Sequence, residues 1–127
     1  MIHRYSKIIF INRNRNSPEK RFFLEAGAYD GELISNTLFF EMKLGWSGLL
    51  IEPNPIAFEK LLHKQRKAWA INACISRKPY PEIIEFDMDG ISGGIITENN
   101  LRPGDLQVRN LSQIYTSDLC IKDLIFL

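Results

Sequence analysis

A chain of 127 residues has the length of a single domain. Its 45% hydrophobic and 24% charged residues are the proportions of a chain that packs a core, which excludes intrinsic disorder. A net charge of +1 gives no general attraction to nucleic acid or an anionic membrane, and two cysteines, Cys74 and Cys120, do not make a disulfide scaffold.

In chain order, residues 1–20 read as a short strand, Ile8-Ile9-Phe10-Ile11, followed by a basic, polar loop ending in Asn16-Ser17-Pro18. No aromatic residues alternate with its arginines and asparagines to stack bases, so it reads as a solvated loop, and no nucleic acid is expected as partner. The apolar run at Ile8 is too short for a signal-peptide core, and no segment has the length of a membrane span. Taken alone, the chain is expected in the cytoplasm.

From Arg21 the pattern becomes regular, and residues 21–127 read as one partial domain. Phe22-Phe23-Leu24-Glu25-Ala26 is an apolar run ending in glycine, as expected of a strand buried on both faces. The spacing predicts a helix over 32–44, with Leu33, Leu38, Met42, Thr37 and Glu41 setting its faces and Gly45 as C-cap. Residues 47–52 form a second buried strand. Asn54 then caps a helix that starts at Pro55 and runs to about Lys67, with Phe58, Leu61 and Leu62 turned inward and the basic residues 63–67 in its last turn. A third strand is expected over 68–75. After the break at Lys78-Pro79-Tyr80-Pro81, a fourth over 83–86 is one arm of a hairpin before a glycine-rich loop. The order strand-helix-strand-helix-strand implies an α/β fold, the first half of a doubly wound parallel sheet of Rossmann-like type.

One constellation carries chemistry. Glu25-x-Gly27-x-x-x-Gly31 lies between a strand and a helix, where glycines allow a tight turn and close approach of a ligand, and the helix start offers unpaired N–H groups. A dinucleotide site has the spacing G-x-G-x-x-G, whereas position 29 is Tyr29. The carboxylates of Glu25 and Asp30 would repel a pyrophosphate but neutralise the ammonium and sulfonium of S-adenosylmethionine. Glu52 ends the second strand, 21 residues after Gly31, where an acidic side chain accepts hydrogen bonds from ribose hydroxyls. Alone, Glu52 serves equally well as a capping or surface carboxylate; with the glycine turn, the ligand role is favoured.

Other residues read as structural. Trp46 and Trp69 are packing residues, and the cysteines are small buried apolar groups. His3 and His63 have no ligands at metal spacing, so no metal is expected. Asp87-Met88-Asp89-Gly90 resembles the opening of a calcium loop, but Glu98 stands at the wrong spacing, and a hairpin turn fits better.

The segments 23–32, Ser35-Asn36-Thr37-Leu38 and Gly45-Trp46-Ser47-Gly48-Leu49-Leu50-Ile51-Glu52-Pro53-Asn54-Pro55 together resemble the FkbM family of methyltransferases. Trp69, Asn72-Ala73-Cys74-Ile75-Ser76 and Gly93-Gly94-Ile95 resemble the animal Star-like subgroup, and the likeness spans residues 21–96. The resemblance implies a class I methyltransferase fold that binds S-adenosylmethionine. It implies Glu25 and Gly27 near the methionine part, Glu52 near the ribose and Asn72 or Ala73 beside the adenine, with Ala28, Asp30, Gly31 and Pro53 also in the cofactor site. Relatives continue into a strand ending in an Asp-Val-Glu-Gly-like segment, which is absent here. Leu124-Ile125-Phe126-Leu127 reads as the start of that strand, so the N-terminal part of the domain is expected, with no general base and no substrate ligand assignable.

Two functions follow as expectations: methyl transfer to an unassigned acceptor, or a non-catalytic Star-type module that acts in secretory-pathway trafficking through a protein partner. The subgroup implies an endoplasmic reticulum or Golgi membrane location for a longer parent protein. A sheet lacking its fourth strand would leave the edge of residues 22–26 unpaired, and self-association through that edge is expected.

Overall fold

The computed structural model describes residues 7–11, 21–76, 80, 82–88, 94–95 and 111–120. The first sheet has the order β1-β2-β3-β4, built from β1 (Lys7–Ile11), β2 (Phe22–Ala26), β3 (Ser47–Ile51) and β4 (Trp69–Ile71). Strands β2, β3 and β4 are parallel, joined by helices α1 (Leu38–Leu44) and α2 (Pro55–His63). The three-stranded parallel unit with two helical crossovers is the mixed α/β architecture that the element order implies.

Apolar content dictates the core. Phe23, Leu50 and Leu61 are buried with Ala28 and Ala68 in one cluster, with Phe40, Trp46 and Phe58 against it. Leu24 and Ile51, whose side chains alternate with those, join Ala73 in a second cluster beside Ile71 and Ile75. Removing each such large side chain from water contributes about 1.5–3 kcal/mol. The parallel register pairs Phe23 with Gly48, and a Cβ there would lie 2.2 Å from the Phe23 ring. The ring fills the space that glycine leaves.

Several expectations need correction. The edge of β2 is not open: β1 pairs with it antiparallel, Lys7 opposite Ala26 through Ile11 opposite Phe22, so the premise for self-association through that edge fails. Helix α1 begins at Leu38, not at residue 32, and its burial is inverted: Leu33 and Met42 are exposed while Thr37 and Glu41 are buried. Helix α2 ends at His63, Leu62 is exposed, and the chain reverses at Gln65, where φ is 52°.

The third strand is split. Ile71 ends β4 and β5 (Cys74–Ser76) begins a second sheet, and between them the Asn72 side chain donates to the Glu52 and Pro53 carbonyls. The second sheet has the order β5-β8-β6-β7, with β6 (Ile83–Asp87), β7 (Gly94–Ile95) and β8 (Leu111–Cys120). The antiparallel pairing of β6 with β7 is the expected hairpin; β8, antiparallel to β6 and parallel to β5, is not evident from the sequence pattern. Asp89 and the run 124–127 lie outside the described residues.

Candidate functional site at the strand ends

The C-terminal ends of β2, β3 and β4 bring together Gly27–Gly31, Glu52-Pro53 and Asn72-Ala73. Gly27 (φ 77°) and Gly31 (φ 76°) take left-handed backbone conformations that glycine adopts without strain. A Cβ on Gly31 would also lie 2.2 Å from Leu61 Cδ1, so the turn is pressed against the end of α2.

The turn's amides are used within the protein. Gly27 and Ala28 N–H both donate to the Ile51 carbonyl, at 2.8 and 3.1 Å, and Gly31 N–H donates to the Ala28 carbonyl. The Ala28 methyl is fully buried in the core. Asp30, half-buried, accepts through Oδ1 from Glu32 and Leu33 N–H at 3.0 and 2.9 Å, closing a local turn where a helix start was expected. At the observed start of α1, Thr37 and Leu38 N–H both donate to Ser35 Oγ.

Glu52 bridges two strand ends. Its buried carboxyl accepts from Tyr29 N–H at 2.6 Å through one oxygen and from Asn54 N–H at 2.8 Å through the other. Burial pushes its pKa above the usual carboxyl value, against the opposing pull of the Asn54 and Tyr29 amides. Each oxygen retains acceptor capacity beyond one backbone donor. The Asn72 amide donates to the Glu52 carbonyl at 2.8 Å and the Pro53 carbonyl at 3.2 Å, joining the third strand end to the second. Ala73 is buried beneath it in the second core cluster.

Glu25 is wholly buried and points to the other side of the turn. Oε1 accepts from Asn36 N–H at 2.8 Å; Oε2 accepts from Ser35 Oγ at 3.0 Å and Thr37 Oγ1 at 2.5 Å. This explains the late start of α1. Thr37 stands at the N-cap position but directs its hydroxyl to Glu25, and makes no side-chain cap.

Two residues outside the site expected from the sequence complete the arrangement. Arg66 and Glu41 form an ion pair with N–O distances of 3.0 Å, and only 5% and 6% of their side chains are exposed. Arg66 also donates to the Gly31 carbonyl, Ser35 Oγ and Thr37 Oγ1, while Glu41 accepts from Lys67 and Ala68 N–H. Removing one member of such a buried pair costs about 3–5 kcal/mol. The pair's signal is faint in sequence because its members stand 25 residues apart. A glutamate on a helical stripe otherwise set by apolar residues is the only hint.

Among the described residues, Glu25 and Glu52 enter no ion pair, and no cluster of side chains could hold a metal ion. No helix among them is long and apolar enough to cross a membrane. Comparison of the chain with protein-family models, with curated proteins and with solved structures finds no match.

Proposed function

We propose that the chain is the N-terminal part of an FkbM-type methyltransferase domain that binds S-adenosylmethionine at the ends of β2, β3 and β4. The observation that carries this reading is the glycine turn after β2 meeting the Glu52 carboxyl after β3, linked by the Tyr29 N–H. Glu52 keeps lone pairs for a ribose diol, and Asn72 and Ala73 border the same end of the sheet.

Charge supports a cationic ligand over a phosphate. Three buried carboxyl groups, Glu25, Glu41 and Glu52, lie around the turn with one buried guanidinium, Arg66, which pairs with Glu41. A pyrophosphate would meet amides already engaged and carboxyl groups in excess, whereas a sulfonium or ammonium would offset them. Methyl transfer would depend on holding donor and acceptor in line, and no residue here is assigned to deprotonate the acceptor.

Calorimetric titration with S-adenosylmethionine and S-adenosylhomocysteine tests the reading. Glu52→Ala should weaken binding by about 1–3 kcal/mol, the cost of leaving buried hydroxyl donors unpaired. A folded wild-type chain that takes up neither ligand would remove the cofactor role.

A second reading, a non-catalytic module acting in secretory-pathway trafficking through protein contacts, is favoured by one observation. All three donors around Glu25 come from its own chain, so this carboxylate has a complete structural role without ligand.

A further inference from the structure

Arg66 holds the glycine turn at Gly31, whereas Glu52 holds it at Tyr29. Its carbon stem and the Leu61 side chain both lie close to Gly31, and its ring-facing side lies 6.0 Å from the Phe23 centroid. One nitrogen donates to the Gly31 carbonyl at 2.6 Å and to Ser35 Oγ at 3.0 Å; the other terminal nitrogen reaches Thr37 Oγ1 at 3.3 Å. The remaining donors go to Glu41, which in turn holds the backbone at Lys67 and Ala68.

We infer that Arg66 is a positioning residue for the ligand turn, holding the Gly31 carbonyl directly and clamping residues 35–37 together with Glu25. The chemistry of the groups makes the clamp directional. A guanidinium only donates. The Ser35 and Thr37 hydroxyls therefore accept from Arg66 on one side and donate to Glu25 on the other. The left-handed Gln65 immediately before Arg66 returns the chain beneath the turn, a conformation that non-glycine residues seldom take. The end of the second crossover thus sets the shape of the first crossover's loop. Lysine cannot replace this function, since a single ammonium lacks the planar fork that spans Gly31, Ser35 and Glu41.

The consequence for ligand rests on the cofactor reading; the clamp itself does not. Hydrogen exchange and S-adenosylhomocysteine titration of Arg66→Lys separate the two. The Gly31, Ser35 and Asn36 amides should lose protection while those of β2 and β3 keep theirs, and affinity should fall on the order of tenfold, as for one lost charge-assisted hydrogen bond. Uniform loss of protection, or unchanged turn amides in a folded variant, would overturn the inference. Turn-selective loss with unchanged affinity in a wild type that binds would overturn its consequence for the ligand. Should Arg66→Lys fail to fold, Thr37→Val removes the hydroxyl that links Arg66 to Glu25 and leaves the Arg66–Glu41 pair and the Ser35 contacts to the Thr37 and Leu38 N–H groups; the same selective loss is expected, and its absence overturns the clamp. Wild-type protein that binds no ligand sinks the cofactor reading alone, and the exchange pattern still decides the role of Arg66.

Discussion

Glu52 has two demands placed on one carboxyl group. Burial raises its pKa from the usual 4.5, while the Asn54 and Tyr29 amides favour the charged form and only partly offset that rise. The folded protein therefore holds the proton more tightly than the unfolded chain. The group favours folding most below the usual value, and this contribution declines as pH rises through the raised one. Thermal melts from about pH 4 to about pH 7 should show wild-type stability falling relative to Glu52→Gln, which cannot ionise. A difference that stays constant across the range would remove this linkage. Gly48 makes a steric prediction at the same scale. Alanine there would drive a methyl group to within 2.2–2.5 Å of three Phe23 ring atoms, so Gly48→Ala should cost about 1–3 kcal/mol in urea unfolding. Phe23→Leu in the same chain should recover part of that loss, since the space would then be shared.

The two helices start by different means. Asn54 accepts from both Ile56 and Ala57 N–H, so α2 carries its own cap, and Pro55 follows at the first helical position. Asn54→Ala should destabilise the protein by about 1 kcal/mol, and Asn54→Gly by only a few tenths, measured by denaturant unfolding. Equal losses would mean that the cap contributes nothing beyond its backbone conformation. In α1 the capping position is occupied by Thr37, but its hydroxyl serves Glu25, and Ser35 takes over the first amides. The helix is therefore shortened to seven residues by a carboxylate on the preceding strand. Its outward Phe39 and Met42, and its inward Glu41, reverse the polarity that a periodic pattern suggests.

For the molecule as a whole, β1 has a protective position. It pairs along all five residues of β2, covering the edge that a parallel sheet of β2, β3 and β4 would otherwise expose. Removing residues 1–11 should open a row of unpaired backbone groups beside Phe22–Ala26 and make association concentration-dependent. Sedimentation velocity checks this: a shortened chain that stays at the parent's oligomeric state at every concentration would show that β1 is dispensable for edge protection.

Local features in the amino-acid order sufficed for β2 and β3, because the short apolar stretches Phe22-Phe23-Leu24 and Leu49-Leu50-Ile51, soon closed by Gly27 or by Pro53, admit little but buried strands. The Asn54-Pro55 start, the Gly45 stop and the glycine turn were legible for the same reason: each follows from one residue's own backbone limits or hydrogen-bonding groups. The convergence of Glu52 with that turn was legible only as a spacing; tertiary contact supplied the Tyr29 bond that joins them. The start of α1, the pairing of β1, the split after Ile71 and the burial of Glu41 with Arg66 were settled only in three dimensions. Their physical cause is shared. A buried charge, an open strand edge or an unfilled carbonyl is stabilised by a partner from elsewhere in the chain, and residue periodicity registers apolar faces but not the distant group that answers a polar one.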